Sequence, residues 1–593
     1  MRVLTGARGL AALLCLATFG GAGCGSCGAP SAGPAEAAAP EAVEPPVPAP
    51  AGLLAEIVVR APDTAWGKLQ LGVSGAVALL PPTVGELAVA FAGIDGTAAQ
   101  LVDGKGTAYV VLGDGGAAEP LAWVVAFPVA DARAASSMLF GNEPLDAGDA
   151  SAGRYVPKDA AGMRVLSSAS RPTSVTVALA RGPHPRAWLV FASTEEALGR
   201  LGPYAVRTLP TKAPPPEPGA VVADVPSSAL AGPLSAWLGA RWGQTRAWLE
   251  ARDEEQRAKH GGRAPDFGDP RAIVEAFDGL ITGRIALLRA ARGARVVLDV
   301  GDDEVHAELD LTPGTDPASV SQLAAMAPGD TVPLAALPSD AAVALLVRDG
   351  AASRGEDAAS LEATLVKTLG GRLHEEDTRA VHAAVADWAH ARGDWWTGAL
   401  AWGTSDASRG LWLRTPSASA DASLHAVREI VDLSHRRAFE DLLAASLHLS
   451  PAAVRSVDAP PVARASLAVF GQQIAGGAGK PDGAGAPGIA WGVHEGTLLV
   501  AAGTSAPQLL SAEAAPPRKL GDDPRSARAL AALGQKATLV LFGEPLRLDP
   551  TRGEPDSRAP AVLAWGRKGD DAWGRLELAD VLLRELLRLK AGL

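Results

Sequence analysis

Five tryptophans fall between residues 388 and 412: Trp388, Trp395, Trp396, Trp402 and Trp412. Indoles are large, rigid and mostly apolar, with one N–H donor each, so a cluster of them can pack a core or line a groove for an apolar ligand. These five form the candidate ligand or partner surface. Trp237, Trp242 and Trp248 recur at helical spacing and read as a docking helix or a packed one. Other chemistry-bearing residues are dispersed. His374, His382 and His390 repeat every eight residues, which on a helix sets neighbours about 12 Å apart. One metal ion needs ligands at about 2 Å, so the three cannot share it. His374-Glu375 opens no zinc-protease pair, because Thr378 stands where the second histidine belongs. His306 and Glu308 share a strand face but are too few for a metal site, and His425 and His435 have no completing pair. Neither a metal nor a cofactor is expected.

Asp302-Asp303, Asp522-Asp523 and Asp570-Asp571 each follow a glycine in an expected turn. There a carboxylate serves its own backbone rather than acid–base chemistry. The loop at Lys480 is not a phosphate-binding loop. Ile474 replaces the first glycine, and Pro481 replaces the hydroxyl residue that would hold magnesium. No nucleophile motif of the Gly-x-Ser-x-Gly type sits at a strand-to-helix junction, so no catalytic residue is assigned.

The N-terminus reads as an address. Arg2 and Arg8 precede an uncharged stretch, Gly9 to Gly23, with a Leu/Ala centre and the ending Gly21-Ala22-Gly23-Cys24. That stretch is too short for a comfortable membrane span and suits a signal peptide over 1–23. Small residues before a cysteine resemble the lipobox of bacterial lipoproteins, departing at Gly21, where the family carries an aliphatic residue. The resemblance covers about the first 24 residues. It implies a diacylglyceryl thioether on Cys24, and Gly25 after it implies delivery to the outer membrane. Residues 24–51 are Pro/Ala/Gly-rich with no basic residue, as a disordered, semi-rigid tether would be. Cys27 lies in that tether as an accessible thiol or second modification site. No cysteine follows it, so the body has neither disulfide nor thiolate nucleophile. Beyond the lipobox the body resembles no named family, only the large uncharacterised lipoproteins of GC-rich Gram-negative bacteria.

The chain has 593 residues, 48% of them hydrophobic, with 54 basic against 66 acidic side chains. Apolar content this high excludes a disordered or fibrous chain, and three cysteines exclude a disulfide scaffold. A net charge of -12 opposes general binding to a phosphate backbone, so no nucleic-acid partner is expected.

At the level of elements, the pattern predicts an α+β fold with antiparallel sheets and packed helices. Strands are expected at 53–60, 86–94, 106–112, 121–128, 175–180, 188–192 and 219–226, with a helix at 131–139 and another capped by Thr194. An α+β domain spans 52–210, and the first half continues over 219–320 with a helical insert at 233–291 and a hairpin at 295–311. A second α+β half spans 328–593. It has a strand over 332–346, helices at 360–369, 375–391, 421–445 and 579–590, a Trp-bearing hairpin at 395–414 and a flexible loop at 475–488. Three segments echo across the halves: 188–198 with 498–509, 219–226 with 537–545, and the hairpin 295–311 with 563–578. They point to two divergent tandem copies, the insert belonging to the first.

The function expected is non-catalytic: an envelope lipoprotein held to the membrane by its N-terminal lipid, its body in the periplasm or at the cell surface, engaged in protein interaction or envelope structure. A carrier or sensor of an apolar ligand using the tryptophan cluster is the first alternative. A hydrolase with a site too dispersed to read is the second.

Overall fold

The computed structural model describes residues 45–582 except 73–79, 116–120, 141–154, 168–174, 182–186, 215–218, 260–270, 302–303, 403–408, 475–476, 479–485, 535 and 549–558. The signal peptide, Cys24, Cys27, Lys480 and all of the expected closing helix past 582 lie outside these residues. The fold is α+β and antiparallel. It divides into two compact units: one holds the described residues up to 234 with 291–311 and 579–582, the other 235–290 with 312–578.

In the first unit the strands are β1 (Leu53–Arg60), β2 (Thr107–Asp114), β3 (Leu121–Val129), β4 (Val156–Ala160), β5 (Met163–Ser167), β6 (Thr176–Arg181), β7 (Ala187–Ala192), β8 (Val221–Pro226), β9 (Gly293–Val300) and β10 (Glu304–Thr312). Their order across the sheet is β10-β9-β8-β1-β2-β3-β7-β6-β5-β4. Central strands such as β7, AWLVFA, are buried on both faces, which is why they read as continuous apolar runs rather than alternating ones. One face packs under α1 (Pro62–Gly72), α2 (Val84–Ala92) and α3 (Ala132–Phe140). Its core includes Trp66, Val84, Val110, Phe127, Leu139 and Phe191. The other face packs under α4 (Glu195–Pro203), with Leu198, Leu201, Val124 and Trp188 in contact.

The segment expected as a strand over 86–94 is the helix α2. An apolar run of this length fits either state, and the ends decide. Thr83 Oγ1 accepts from Glu86 N at 3.2 Å, and Gly93 closes the helix at φ 71. The hairpin β4–β5 has no counterpart in the expectation.

At the near end of the described chain, Thr208 Oγ1 accepts from Val47 N at 2.9 Å and donates back to Val47 O at 2.7 Å. Val47 also packs on the α4-side core. The end of the expected tether is thereby clasped to the first unit. Nearby, the buried Glu56 accepts from Tyr204 Oη at 2.5 Å and from Lys212. Burial, with Glu56 beside it, pushes the Tyr204 phenol well above its ordinary range.

The second unit opens with α5 (Ser235–Lys259) and α6 (Arg271–Ala290), the pair expected as an insert of the first half. In chain order they do stand between β8 and β9, but their packing assigns them here. Its strands are β11 (Ala341–Arg348), β12 (Trp395–Trp402), β13 (Arg409–Pro416), β14 (Leu449–Ala459), β15 (Val462–Ile474), β16 (Gly488–His494), β17 (Thr497–Gly503), β18 (Ala537–Gly543), β19 (Ala561–Lys568) and β20 (Asp571–Ala579). Their order is β20-β19-β18-β11-β12-β13-β17-β16-β15-β14. Position for position this is the order of the first unit. The three echoes read from sequence occupy equivalent places: β7–α4 with β17 and the helix after it, β8 with β18, and β9–β10 with β19–β20.

The helices are α7 (Ala351–Leu369), α8 (Glu375–Ala391), α9 (Ala420–Asp432), α10 (Ala506–Ala514) and α11 (Pro524–Ala532). The main core lies between the sheet and α10 and α11, with Leu346, Trp412, Leu510, Leu530 and Phe542 in it. Two expectations are corrected here. Residues 332–346 hold a short helix, Val332–Ala335, before β11, because Pro333 at the first turn favours helix entry over a strand. The long helix expected over 421–445 breaks after α9, passing through the tight turn Leu433–His435 into Arg437–Leu442. Buried Ser434 sits in that turn, and its Oγ accepts from Ala452 N on β14 at 3.2 Å.

Candidate functional site: an open apolar sheet face

Strand β11, AAVALLVR, alternates buried and half-buried residues along its length. Ala344 and Leu346 enter the core under α10, while Val343, Leu345 and Val347 point to the other face. That second face is apolar too. Register carries it across the sheet: Leu563 on β19 pairs Leu541 on β18, which pairs Leu345, then Gly398, Leu413 and Val500. A second row runs Val343, Leu400, Leu411, Ala502 and Ile489. Residues paired directly in an antiparallel ladder share a face, so these rows form one surface.

Towards β16 and β17 the surface is roofed by α9, whose Val427 and Val431 pack on Trp491 and Leu498. Over β11, β12 and β13, together with Ile489 of β16 and Val500 and Ala502 of β17, it forms an open trough of about 450 Å³. In the trough Leu411 is 57% exposed, and further along the same sheet face, beyond the trough lining, Leu563 is 46% and Leu541 40% exposed. The trough lining contains no titratable side chain. Helices α7 and α8 follow β11 in the chain as α1 and α2 follow β1. However, α7 packs on α6 and α8, and its Lys367 pairs Glu275 of α6. In the first unit, by contrast, Trp66 and Leu69 of α1 and Val84 and Ala88 of α2 pack on the equivalent face.

The five tryptophans do not form one cluster. Only Trp396 lays its ring in the trough, over Gly398, where an added Cβ would meet the indole at 3.3 Å. Trp412 borders the trough with its backbone, but its indole is buried on the core side and donates to Leu509 O at 3.2 Å. Trp395 packs on that same core, and Trp388 packs under α9. Trp402, at the strand end, stacks on the Arg409 guanidinium at 4.9 Å. Alternation along β12 dictates this: 396 and 402 point to one face, 395 to the other. The residues missed from sequence are the aliphatic ones. Their signal was the both-faces-apolar pattern of β11, beside a β13 with Leu411 and Leu413 on one side and Trp412 on the other.

The remaining chemistry-bearing residues stay apart. His374 caps α8, His382 Nδ1 meets Glu362 at 2.8 Å, and His390 Nδ1 meets Ala386 O at 2.7 Å. Asp523 caps α11, accepting from Ser526 N at 2.8 Å. Two buried ion pairs, Arg392–Asp349 at 2.5 Å and Arg547–Glu544 at 3.0 Å, tie strand ends rather than face a cleft. Glu513 on α10 is buried in the core side of the sheet. Burial raises its carboxyl well above the ordinary value, opposed by the charge of Arg414. Among the described residues no group of three metal-ligating side chains converges, and no helix is long and apolar enough to cross a membrane. No family model, curated protein or solved structure matches the chain.

Proposed function

We propose that this protein is a lipid-anchored, non-catalytic component of the bacterial envelope that binds an amphipathic helix of a partner protein on the open face of its second unit. One observation carries the reading: two units of identical strand order differ in that the first covers this face with its own α1 and α2, while the second leaves the equivalent strands open. A surface whose counterpart is shaped for helices is complementary to a helix. Small-molecule sites add a few convergent polar groups that fix orientation, and this trough is lined by none. Burying Leu411, Leu541 and Leu563 would contribute on the order of 1–2 kcal/mol each. The shared strand order and the sequence echoes support an ancient duplication, after which the second copy gave up its cover. Acylation of Cys24 and outer-membrane delivery belong to the same proposal. They rest on the lipobox resemblance.

A photo-crosslinking residue at Leu411 in the native envelope tests the site. A covalent adduct mapping to an amphipathic helical segment, and lost when Leu345→Glu is introduced, is expected. Adducts with phospholipid alone would transfer the site to the apolar-carrier reading. The anchor is tested by the mass of the mature N-terminus, which should begin at an acylated Cys24.

A further inference from the structure

Helix α5 carries a stripe that its packing does not use. Its half-buried side is turned to α6: Trp242 donates Nε1–H to Asp278 at 2.6 Å, and Arg246 approaches the same carboxylate at 3.5 Å. On the opposite side Trp237 and Trp248 stand 48% and 57% exposed. Eleven residues separate them, three turns and about 16 Å along the axis, so both rings leave the helix in nearly one direction. Each has an arginine four residues on. The Arg241 guanidinium lies 5.7 Å from the Trp237 ring centroid and that of Arg252 lies 5.5 Å from Trp248. Among the described residues neither arginine makes an ion pair, whereas Arg246 and Arg257 both do. The acid on this stripe, Glu255, is neutralised by Lys259 at 2.8 Å. The stripe is therefore apolar and cationic in a chain whose net charge is -12.

We propose that this face of α5 docks flat on an anionic phospholipid surface. Tryptophan is stable at the headgroup level, with its ring among the upper acyl chains and its N–H in the wet region. An arginine beside each ring supplies charge for lipid phosphates and keeps its stacking contact. The surplus acid of the rest of the chain opposes approach to such a membrane, so the attraction must come from this stripe. The proposal stands whether or not Cys24 is acylated.

The test uses the full chain with vesicles of brominated phosphatidylcholine, with and without phosphatidylglycerol. Brominated chains quench indoles that enter the bilayer, and any contribution from a lipid anchor is the same in both vesicle types. Extra quenching in the phosphatidylglycerol vesicles is expected, reversed in about 1 M salt, where screening acts within about 3 Å. Arg241→Ala with Arg252→Ala should weaken the phosphatidylglycerol-dependent binding about thirtyfold, and Trp237→Phe with Trp248→Phe should reduce it. Arg241→Lys with Arg252→Lys should retain most of it, and an unchanged thermal melt shows that the variants fold. Equal quenching in the two vesicle types, or binding unchanged in the arginine-to-alanine variant, overturns the proposal. The second outcome would be final even if a protein later proved to bind α5.

Discussion

Glu513 sits fully inside the core beneath α10, and neither of its carboxylate oxygens has a hydrogen-bond partner among the described residues. Desolvation favours the protonated form, so its folded pKa lies above its unfolded value. A group raised in this way binds its proton more tightly when folded. Its stabilising contribution is complete below the unfolded glutamate pKa of about 4.3 and is lost as pH rises towards the folded value. Glu513→Gln removes the titration and keeps the shape. Denaturation of both proteins over a pH series should show the wild type losing stability relative to the glutamine variant as pH rises from acid to neutral. Parallel curves would mean that folding does not shift the Glu513 carboxyl. The tryptophans divide by the same logic of environment. Trp412→Ala empties a buried site and breaks the bond to Leu509, and should lower the stability of the second unit by about 3–5 kcal/mol. Trp396→Ala, on the open face, should cost about 1 kcal/mol yet weaken the crosslink at Leu411.

In the hairpin β19–β20, two tryptophans lie across from two glycines: Trp565 pairs Gly574, and Gly566 pairs Trp573. A Cβ at Gly566 would stand 2.7 Å from the Trp573 ring and 2.8 Å from Lys536 O. Gly566→Val should therefore cost about 2–3 kcal/mol despite the higher strand propensity of valine. Gly543→Ala in β18, where the space is open, should be nearly neutral in the same denaturation measurement. This hairpin was legible in sequence through the Gly-Asp-Asp turn between two candidate strands and its likeness to the hairpin at 295–311. So were β1, β3, β7 and the cap Thr194. What failed were short apolar runs with no period. The residues of α2 satisfy helix and strand equally, and only the Thr83 and Gly93 ends choose. The long ribbon β14–β15 is Ala- and Ser-rich and gave no alternation to read. The trough was half legible. The tryptophan density marked the right hairpin, but strand alternation sends neighbouring indoles to opposite faces, and the opening depends on where α7 packs. No local pattern reports that.

For the whole molecule, the lipid proposal makes a simple demand. If the lipid on Cys24 holds the chain to the membrane, Cys24→Ser should move it from the membrane pellet to a high-salt supernatant. Retention in the pellet in high salt would remove the lipid as the anchor. The Thr208–Val47 clasp gives this arrangement a definite radius. With Val47 held by both its N–H and its carbonyl, the proposed lipid on Cys24 would leave 23 residues of chain between anchor and clasp. At the full extension of about 3.3–3.6 Å per residue, such a line would reach about 80 Å and no further. A body moored on so short a line meets its own patch of bilayer at an effective concentration in the millimolar range. Even a weak grip by α5 would then be occupied much of the time, and lengthening the line would loosen it without altering a single contact.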